Sequence, residues 1–210
     1  MPSTAVHLAG PEEAPAITEI LSVAFMDDPI SQWIFPDRTE RRRSHPNFFQ
    51  IFVENAMAEG RIYTTDEHTG AVVWLDVDPD VSESPEDHEK FLCAFDSAID
   101  KPSAARFAIL DQLMSANHPG AATHAYLPFI GVVPGAQGRG VGTALLRHRF
   151  ADLDANNRPA YLEASSARSV ALYGRLGFAP IGATIAIPDG PAFHPMWRTP
   201  IAGGKGSTNG

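Results

Sequence analysis

The hexapeptide Gln137-Gly138-Arg139-Gly140-Val141-Gly142 carries the strongest signal in this chain. The apolar run Tyr126 to Val133 before it has the length of a strand, and the residues from Thr143 to Phe150 after it have a helical pattern. The order is therefore strand, tight glycine turn and helix. Because the first N–H groups of a helix have no intrahelical partner and lie at the positive end of the helix dipole, the sequence predicts an anion-binding turn.

Two familiar phosphate-binding loops do not fit this turn. The dinucleotide fingerprint Gly-x-Gly-x-x-Gly fails because its third glycine position holds Thr143 or Leu145, depending on the glycine from which the count starts. A P-loop counted from Gly135 reaches Gly140 but continues as Val141-Gly142, where Lys-Ser/Thr is required. What remains is the pattern Gln-x-x-Gly-x-Gly, with an ordinary glycine-rich turn as the alternative.

Composition limits the classes of function. The chain has 210 residues, which fits one domain with a sizeable core, and its 44% hydrophobic and 20% charged residues are ordinary for a globular protein. Its net charge of −9 argues against a nucleic-acid partner and favours cationic small molecules. The one basic cluster, Arg41-Arg42-Arg43, is expected on a solvated helix face, with a phosphate contact as the alternative.

The single cysteine and the N-terminal residues bear on the cellular compartment. Cys93 excludes a disulfide within the chain and a Cys-rich zinc site, and its apolar neighbours predict a buried, inert thiol. Residues Met1 to Pro15 lack the pattern of a signal peptide, and no apolar run reaches membrane-spanning length. We therefore expect a cytoplasmic protein with no membrane partner.

Periodicity and turn residues divide the chain into alternating helices and strands. Strands are predicted over 4–8, 61–65, 71–76, 126–133, 160–164, 178–188 and 193–199. Helices are predicted from Gly10 to a break at Asp28-Pro29, and over 30–35, 38–58, 86–99, 103–117, 143–156 and 169–176.

These elements predict an α/β domain with a mixed central sheet of about seven strands, flanked by helices on both faces. The segment from Tyr126 to Ala164 should form one right-handed parallel crossover, whose helix starts at the carboxyl end of its strand. Residues 1–201 are expected to form this single domain. Residues 202–210, which are rich in Gly, Ser and Thr, are expected to form a flexible tail.

A second motif follows the glycine turn after a helix and a strand. It is Tyr173-Gly174-Arg175-Leu176-Gly177-Phe178, at the end of a predicted short helix. The two motifs, in this order and at this separation, resemble those of the GNAT superfamily of N-acetyltransferases. The resemblance implies the GNAT fold and direct acetyl transfer from acetyl-CoA to a primary amine, with no acyl-enzyme intermediate and no metal.

Within the superfamily, the chain is similar to the puromycin N-acetyltransferase group. The resemblance is strong from about Ala125 to Thr199 and looser before that, where GNAT enzymes build the acceptor pocket. The similar stretches are Ala24-Phe25, Gly131-Val132-Val133-Pro134, Leu162-Glu163-Ala164-Ser165 and Ile187-Pro188-Asp189-Gly190-Pro191.

The resemblance also implies which residues bind coenzyme A. It places the pantetheine arm along the central strand at Val132 and Val133. Arg139 either adds a charge-assisted contact to the pyrophosphate or stays in solvent. Ser169 stands where many relatives carry an asparagine that contacts coenzyme A, with helix capping as the alternative. The pyrophosphate is expected on the N–H groups of Gln137, Gly138, Arg139, Gly140, Val141, Gly142 and Thr143.

Candidate catalytic residues follow from the same resemblance. Tyr173 matches the family tyrosine that faces the departing thiolate, which makes it the candidate general acid, with a packing tyrosine as the alternative. Glu163 matches a glutamate of the puromycin acetyltransferase group and is one candidate base, unless it is a solvated strand-end residue. His124 is the other, because it titrates near neutral pH, although a structural role is the alternative. Tyr126 falls near a catalytic glutamate of some relatives but is a poor base, so we assign it to the acceptor pocket.

The acceptor pocket is expected to draw on residues from the first half of the chain, where Trp33 and Phe35 could equally belong to the core. The activity that we expect is acetylation of a primary amine on a small molecule, such as an aminonucleoside or another antibiotic. The alternatives are a peptide or protein amine acetyltransferase and a non-catalytic acyl-CoA sensor, although a retained Tyr173 argues against the sensor. The resemblance leaves a homodimer open. The candidate pocket residues are Phe25, Asp27, Asp28, Trp33, Phe35 and Trp74.

Overall fold

The computed structural model describes residues 5–81, 84–120 and 122–201. The predicted tail at 202–210 lies outside the described residues, as does Thr4 at the start of the first predicted strand.

The described residues form a mixed sheet of eight strands in the order β1-β2-β3-β4-β5-β8-β6, with β7 paired to β8. Neighbouring strands are antiparallel except for β4 and β5, which are parallel. The strands are β1 (Val6–Leu8), β2 (Arg61–Thr65), β3 (Gly70–Val77), β4 (His124–Val132), β5 (Ala160–Ala164), β6 (Ala179–Pro180), β7 (Ile185–Ala186) and β8 (Ala192–Arg198).

Seven α-helices connect and cover these strands within the described residues. They are α1 (Ala14–Ala24), α2 (Pro29–Ile34), α3 (Arg38–Glu59), α4 (Pro85–Ala98), α5 (Lys101–Asn117), α6 (Val141–Ala155) and α7 (Ala167–Gly174). The mixed α/β architecture and the parallel β4–α6–β5 connection confirm the predicted fold.

One predicted strand is broken. Residues 178–188 do not form a single strand but two short ones, β6 and β7, which pair with different parts of β8. Pro180 has no N–H to donate to a ladder, and Gly182 has a φ of +60°, which turns the backbone out of the extended conformation. Local backbone chemistry therefore ends the strand where hydrophobic pattern alone continues it.

Two apolar layers lie on opposite faces of the sheet. Because side chains alternate along a strand, Val73 of β3 packs in the layer formed with α1 to α5, and Val72 packs in the layer formed with α6. Two glycines allow the helices to approach closely. A Cβ at Gly131 would lie 3.0 Å from the Ala24 Cβ of α1, and one at Gly70 would lie 2.8 Å from the Val141 Cγ1 of α6.

The thiol of Cys93 is exposed, which corrects the prediction that it is buried. Phe91 and Phe95, one helical turn apart on α4, pack inward, and Cys93 lies halfway between them in sequence. A residue two positions from an inward-facing one points to the other side of a helix. The apolar neighbourhood in the sequence is therefore not a neighbourhood in space.

The basic cluster is divided between core and solvent. Arg41 is buried, and its guanidinium donates to the carbonyl oxygens of Met26 and Phe35, which ties the chain after α1 and α2 to α3. Arg43 is exposed and pairs with Glu40. The prediction of a solvated face is thus wrong for Arg41, because buried loop carbonyls need donors that only a long side chain supplies there.

Two features are absent from the described residues. None of their helices is long and apolar enough to cross a membrane, and no group of three or more His, Cys, Asp or Glu side chains among them is arranged to hold a metal ion. The cytoplasmic location stays a prediction.

Candidate active site

The glycine turn lies between β4 and α6, as its sequence predicts. Gly138 and Gly140 have φ angles of +75° and +88°, a region of backbone space that other residues enter only with strain. α6 begins at Val141, and the first N–H to bond back belongs to Ala144, which donates to the Gly140 carbonyl at 2.9 Å. The amides of residues 138–143 are therefore left for an outside acceptor. The amide of Gln137 is not, because it donates to the Pro134 carbonyl oxygen at 3.4 Å, which corrects the expectation that it binds the pyrophosphate.

Side chains and backbone hold the turn against the end of β4. Gln137 Nε2 donates to the Val132 carbonyl oxygen at 3.1 Å, and Val133 N–H donates to the Thr69 carbonyl oxygen at 3.0 Å. Arg139 is exposed at the top of the turn. These contacts fix the position of the turn and leave the N–H groups of residues 138–143 unused.

Strands β4 and β5 separate beside this turn. They pair only at Ala125 with Ala160 and at Tyr126 with Tyr161, yet β4 continues to Val132 and β5 to Ala164. A cavity of about 1010 Å³ fills the opening and extends beneath α3, α4 and α5. Unpaired strand backbone from residue 127 onward therefore faces the cavity, where an extended ligand can form strand-like hydrogen bonds.

Tyr173 lines this cavity from α7. Burial raises the pKa of its phenol, and the negative charge of Asp28 raises it further. The main chain of Tyr173 is held by Phe178, whose N–H donates to its carbonyl oxygen at 3.1 Å across the turn at Gly177. The phenol therefore stays protonated at neutral pH and can donate a hydrogen bond into the cavity.

Asp28 lies in the same cavity and joins two elements. Its Oδ1 caps α2 by accepting from the Ile30 and Ser31 N–H groups at 2.9 and 3.2 Å. Its Oδ2 accepts from the Ser165 hydroxyl at 2.6 Å. Burial raises the pKa of this carboxyl, although the hydrogen bonds oppose the shift.

Glu163 reaches the cavity from β5, next to the site where the strands separate. Its side chain is only 2% exposed, and its Oε1 has no hydrogen-bond partner at normal length. Burial raises the pKa of this carboxyl to about 7, and the nearby phenols of Tyr161 and Tyr126 moderate the shift. Glu163 is therefore a buried carboxyl with a pKa of about 7 and not a solvated strand-end residue, and such a group is a candidate for acid–base chemistry.

His124 is fully buried, and both of its ring nitrogens are engaged. Its Nδ1 lies 2.7 Å from the Ala122 carbonyl oxygen and therefore carries the hydrogen, so its Nε2 accepts from His118 Nε2 at 3.0 Å. This pairing leaves neither ring nitrogen of His124 open to the cavity, which counts against His124 as the candidate base. A structural role is the better account of it.

His118, which the sequence analysis did not single out, lines the cavity instead. Because His118 Nε2 donates to His124, its Nδ1 presents a lone pair, 3.9 Å from Glu163 Oε1. Burial lowers the pKa of His118 to about 4, so the ring is neutral at pH 7. A neutral imidazole excludes water from Glu163 without offering it a cation, which is consistent with the raised pKa of the carboxyl.

Three of the predicted pocket residues lie elsewhere. Trp74 is 1% exposed and points to the α6 face of the sheet, with its ring 6.4 Å from that of Phe150, whereas its neighbours Val73 and Leu75 line the cavity. Phe35 is a core residue. Trp33 packs so closely on Gly190 that a Cβ there would lie 2.7 Å from the indole. Because side chains alternate along a strand, Trp74 lies on the opposite face of the sheet from Val73 and Leu75, and its prediction as a pocket residue is wrong.

Several other predicted residues line the cavity, whereas Val133 and residues 138–143 are not among the described residues that line it. Ser169 lines it from the first turn of α7, but the residue that caps this helix is Ser166, whose hydroxyl accepts from Ser169 N–H at 3.2 Å. The helix-capping alternative for Ser169 is therefore wrong. The other predicted residues in the wall are Phe25, Asp27, Asp28, Tyr126, Val132, Gln137, Glu163 and Tyr173.

Sequence reasoning missed the contribution of α4 and α5. These helices bring Phe91, Phe107, Leu110, Asp111 and Met114 to the cavity. In the sequence their apolar spacing is that of any helix packed on a core, so it carries no signal for a pocket. The polar residues that these two helices bring to the cavity are His88, Asp111 and Ser115.

Comparison with known proteins identifies the family. A model of the acetyltransferase (GNAT) family matches residues 15–178, so the chain belongs to this family and is an acetyltransferase. Enzymes of the family use acetyl-CoA as co-substrate.

Two solved structures illustrate the likeness. One is described as histone acetyltransferase HPA2 and related acetyltransferase, from Corynebacterium glutamicum; it is 27% identical, with 96% of this chain and 99% of that chain covered and a TM-score of 0.70. The other is arylalkylamine N-acetyltransferase 2 from Aedes aegypti, which is 13% identical, with 93% and 98% covered and a TM-score of 0.67. The second likeness concerns the fold alone.

Proposed function

We propose that this protein is an acetyl-CoA-dependent N-acetyltransferase that acts on the primary amine of a small molecule. One observation carries the proposal: Glu163, a carboxyl with a pKa of about 7, and Tyr173, a protonated phenol, line one cavity that begins at the glycine turn. The two proton transfers of amine acetylation need a base and a donor of these kinds. An amine of the aminonucleoside type is the first acceptor to test, because of the resemblance to the puromycin acetyltransferase group.

The cofactor end of the cavity suits coenzyme A. The free amides from residue 138 to 143 and the two left-handed glycines form a cradle for a pyrophosphate, and the unpaired edge of β4 at Val132 suits the pantetheine arm. Acetyl-CoA, when bound, supplies the thioester acetyl group that the amine attacks.

We assign the proton transfers to residues of the chain. The Glu163 carboxylate accepts the proton of the substrate ammonium, directly or through one water. Because its pKa is raised to about 7, the group can both take up a proton and release it again near neutral pH. Tyr173 donates its phenolic hydrogen bond towards the leaving sulfur.

The shape of the cavity favours a small acceptor over a protein. A peptide brings backbone N–H and C=O groups that must be hydrogen-bonded when buried. The wall formed by α3, α4 and α5 is mostly apolar side chains and offers few such partners. The sensor alternative is disfavoured because a sensor needs the turn but neither Glu163 nor Tyr173 in the cavity.

The test is release of free coenzyme A thiol from acetyl-CoA across a panel of amines that includes puromycin. It should be run with Cys93→Ala, since the exposed thiol of Cys93 would react with the thiol reagent. Turnover of any small amine supports the proposal. Turnover only of peptide or protein amines would transfer it to the protein class, and binding of acetyl-CoA with no turnover would favour the sensor.

A substitution tests the donor. Tyr173→Phe removes the phenolic oxygen and keeps the ring that packs on Phe178, with the ring centroids 5.8 Å apart. We expect kcat to fall by about 10²-fold, while the KM for acetyl-CoA changes little. If kcat were unchanged, Tyr173 would be a packing residue.

A further inference from the structure

We propose that the acceptor is a primary amine attached to a bulky, uncharged, apolar body, such as an arylalkyl or alkyl amine. This inference rests on the proposed function and specifies its substrate class. It follows from three features of the cavity: its apolar wall, the carboxyl groups at one end of it and the absence of Lys and Arg among the described residues that line it.

The apolar wall is aromatic and continuous. Phe129 of β4 is surrounded by rings from α1 and α3, with centroids 5.7 Å from Phe25, 5.5 Å from Phe49 and 4.7 Å from Phe52. Phe52 is in turn 5.6 Å from Phe91 of α4 and 5.7 Å from Phe107 of α5. All of these residues line the cavity, so five elements contribute one aromatic surface.

This wall is more than the surface of a closed core. Phe25, Phe52, Phe91 and Phe129 are only partly buried, and the space beside them belongs to a cavity of about 1010 Å³. Packed cores leave few voids larger than a water molecule, whereas pockets of several hundred cubic ångströms are typical of ligand sites. An apolar ligand body would bury the partly exposed rings.

The polar end of the cavity is acidic. Asp28, Asp111 and Glu163 all line the cavity, and Asp111 Oδ2 lies 3.0 Å from His88 Nε2. The charges of Glu163 and Asp111 raise the pKa of the Tyr126 phenol, and the charge of Asp28 raises that of the Tyr173 phenol. An ammonium group finds its partners there, next to the proposed base. The apolar wall leads away from this end, so an amine can place its charge among the carboxyls and its body against the rings.

Lys and Arg are absent from the wall. Among the described residues that line the cavity, the basic ones are His118, which is neutral, and His88, whose Nε2 lies 3.0 Å from Asp111 Oδ2. A carboxylate or phosphate on the acceptor would be buried without a Lys or Arg partner and near three carboxyls, which is costly. Amino acids and phosphorylated amines are therefore disfavoured.

The experiment compares matched amines. We expect kcat/KM to rise about fourfold for each methylene added from butylamine to hexylamine, as apolar surface is buried. 6-Aminohexanoate, in which a carboxylate replaces the terminal methyl group of hexylamine, should react at least tenfold more slowly than hexylamine, and phenethylamine should be among the best substrates. Equal or higher kcat/KM for aminohexanoate or ethanolamine would overturn the inference and leave the proposed function intact.

Two alanine variants on one helix supply the control. Phe91 lines the cavity, whereas its neighbour Leu92 does not and instead borders a shallow surface depression. Phe91→Ala should lower kcat/KM for phenethylamine about tenfold more than for ethanolamine, and Leu92→Ala should leave this ratio as in the wild type. If Phe91→Ala kept the wild-type ratio of kcat/KM for phenethylamine to kcat/KM for ethanolamine, the aromatic wall would not contact the acceptor. Melting temperature and acetyl-CoA affinity show whether each variant is folded.

Calorimetry separates failure of the inference from failure of the proposed function. In the presence of coenzyme A, hexylamine should bind more tightly than aminohexanoate even if neither is acetylated. Tighter binding of hexylamine without turnover of any amine would support the inferred preference for an uncharged, apolar amine and refute the proposed activity. Binding of hexylamine and aminohexanoate with equal affinity would refute the inferred preference for an uncharged, apolar amine.

Discussion

Glu163 shows how the surroundings of one residue define its chemistry. Removing its carboxyl from water disfavours the charged form, and no cation compensates, because neutral His118 faces it across 3.9 Å. Its pKa is therefore raised to about 7. If this group is the base, kcat/KM should rise with pH through about 7 and level off above it, since the carboxylate is the active form.

The variant Glu163→Gln tests this assignment. It keeps the shape but cannot accept a proton, so we expect kcat/KM to fall by about 10²-fold and the rise near pH 7 to disappear. His148→Ala, on the exposed surface of α6, is a matched control that should keep the wild-type pH profile. A profile for Glu163→Gln that still rises near pH 7 would move the base to another group.

The same pKa shift has a consequence for stability. The Glu163 carboxyl has a pKa of about 7 in the folded protein against an ordinary value of 4.5, so between these values the folded state binds more protons than the unfolded state. The free energy of unfolding therefore decreases as pH rises through this window. The melting temperature of Glu163→Gln, relative to wild type, should be higher at pH 8 than at pH 5. A constant difference would mean that the carboxyl is not perturbed.

The sequence pointed to Tyr173 through its motif and to Glu163 through a stretch similar to the puromycin acetyltransferase group. It did not show which side chains surround them in the folded protein. The pKa of Glu163 is raised by burial, and the imidazole that faces the carboxyl at 3.9 Å belongs to His118, which is 45 residues away in the chain and is positioned by its hydrogen bond to His124. His124 was the more obvious histidine because it lies on a strand beside Tyr126. The pairing of the two rings, which decides which of them faces the cavity, is a tertiary contact.

At the scale of elements, the strand–turn–helix unit depends on backbone conformation at Gly140. A φ of +88° costs a residue with a Cβ about 1–2 kcal/mol. We expect Gly140→Ala to lower the free energy of unfolding by about this amount and to weaken acetyl-CoA binding about tenfold, because the amides of residues 138–143 would shift. Denaturant unfolding and calorimetry measure the two effects.

Gly135→Ala is the matched control for this turn. Gly135 lies in the short helical turn Pro134–Ala136, and a Cβ there would meet no atom within 4 Å. Its substitution should change neither stability nor acetyl-CoA affinity by a measurable amount. Equal effects from both variants would show that the turn has no special conformational demand.

The elements differ in how far the sequence predicts them. The turn, α6 and β5 follow from local signals, since glycine conformation and apolar periodicity act within a few residues. Which side of an element faces the cavity is a different question. Trp74 and Cys93 were assigned to the wrong sides because their apolar neighbours do not specify the face. The aromatic wall needs α3, α4 and α5 to converge, which no local pattern encodes.

At the scale of the whole molecule, the charges are divided in the way that two oppositely charged ligands require. The chain has a net charge of −9, and the carboxyls of Asp28, Asp111 and Glu163 line one end of the cavity. The exposed cations Arg139, on the glycine turn, and Arg168, on α7, lie on the elements that form the cofactor end. An ammonium substrate and an anionic cofactor are therefore attracted to different parts of one surface.

Salt separates these two attractions and also tests the role of Arg139. From about 0.01 M to about 1 M salt the screening length falls from about 30 Å to about 3 Å, so both kcat/KM for a cationic amine and the affinity for acetyl-CoA should decrease. Arg139→Gln should weaken the salt dependence of acetyl-CoA binding and leave that of the amine unchanged, because only the pyrophosphate would contact this guanidinium. Arg43→Gln, an exposed position on α3, is the control and should alter neither dependence. If Arg139→Gln left the salt dependence of acetyl-CoA binding as in the wild type, the side chain would lie in solvent, and the backbone amides of the turn would have to hold the phosphates alone.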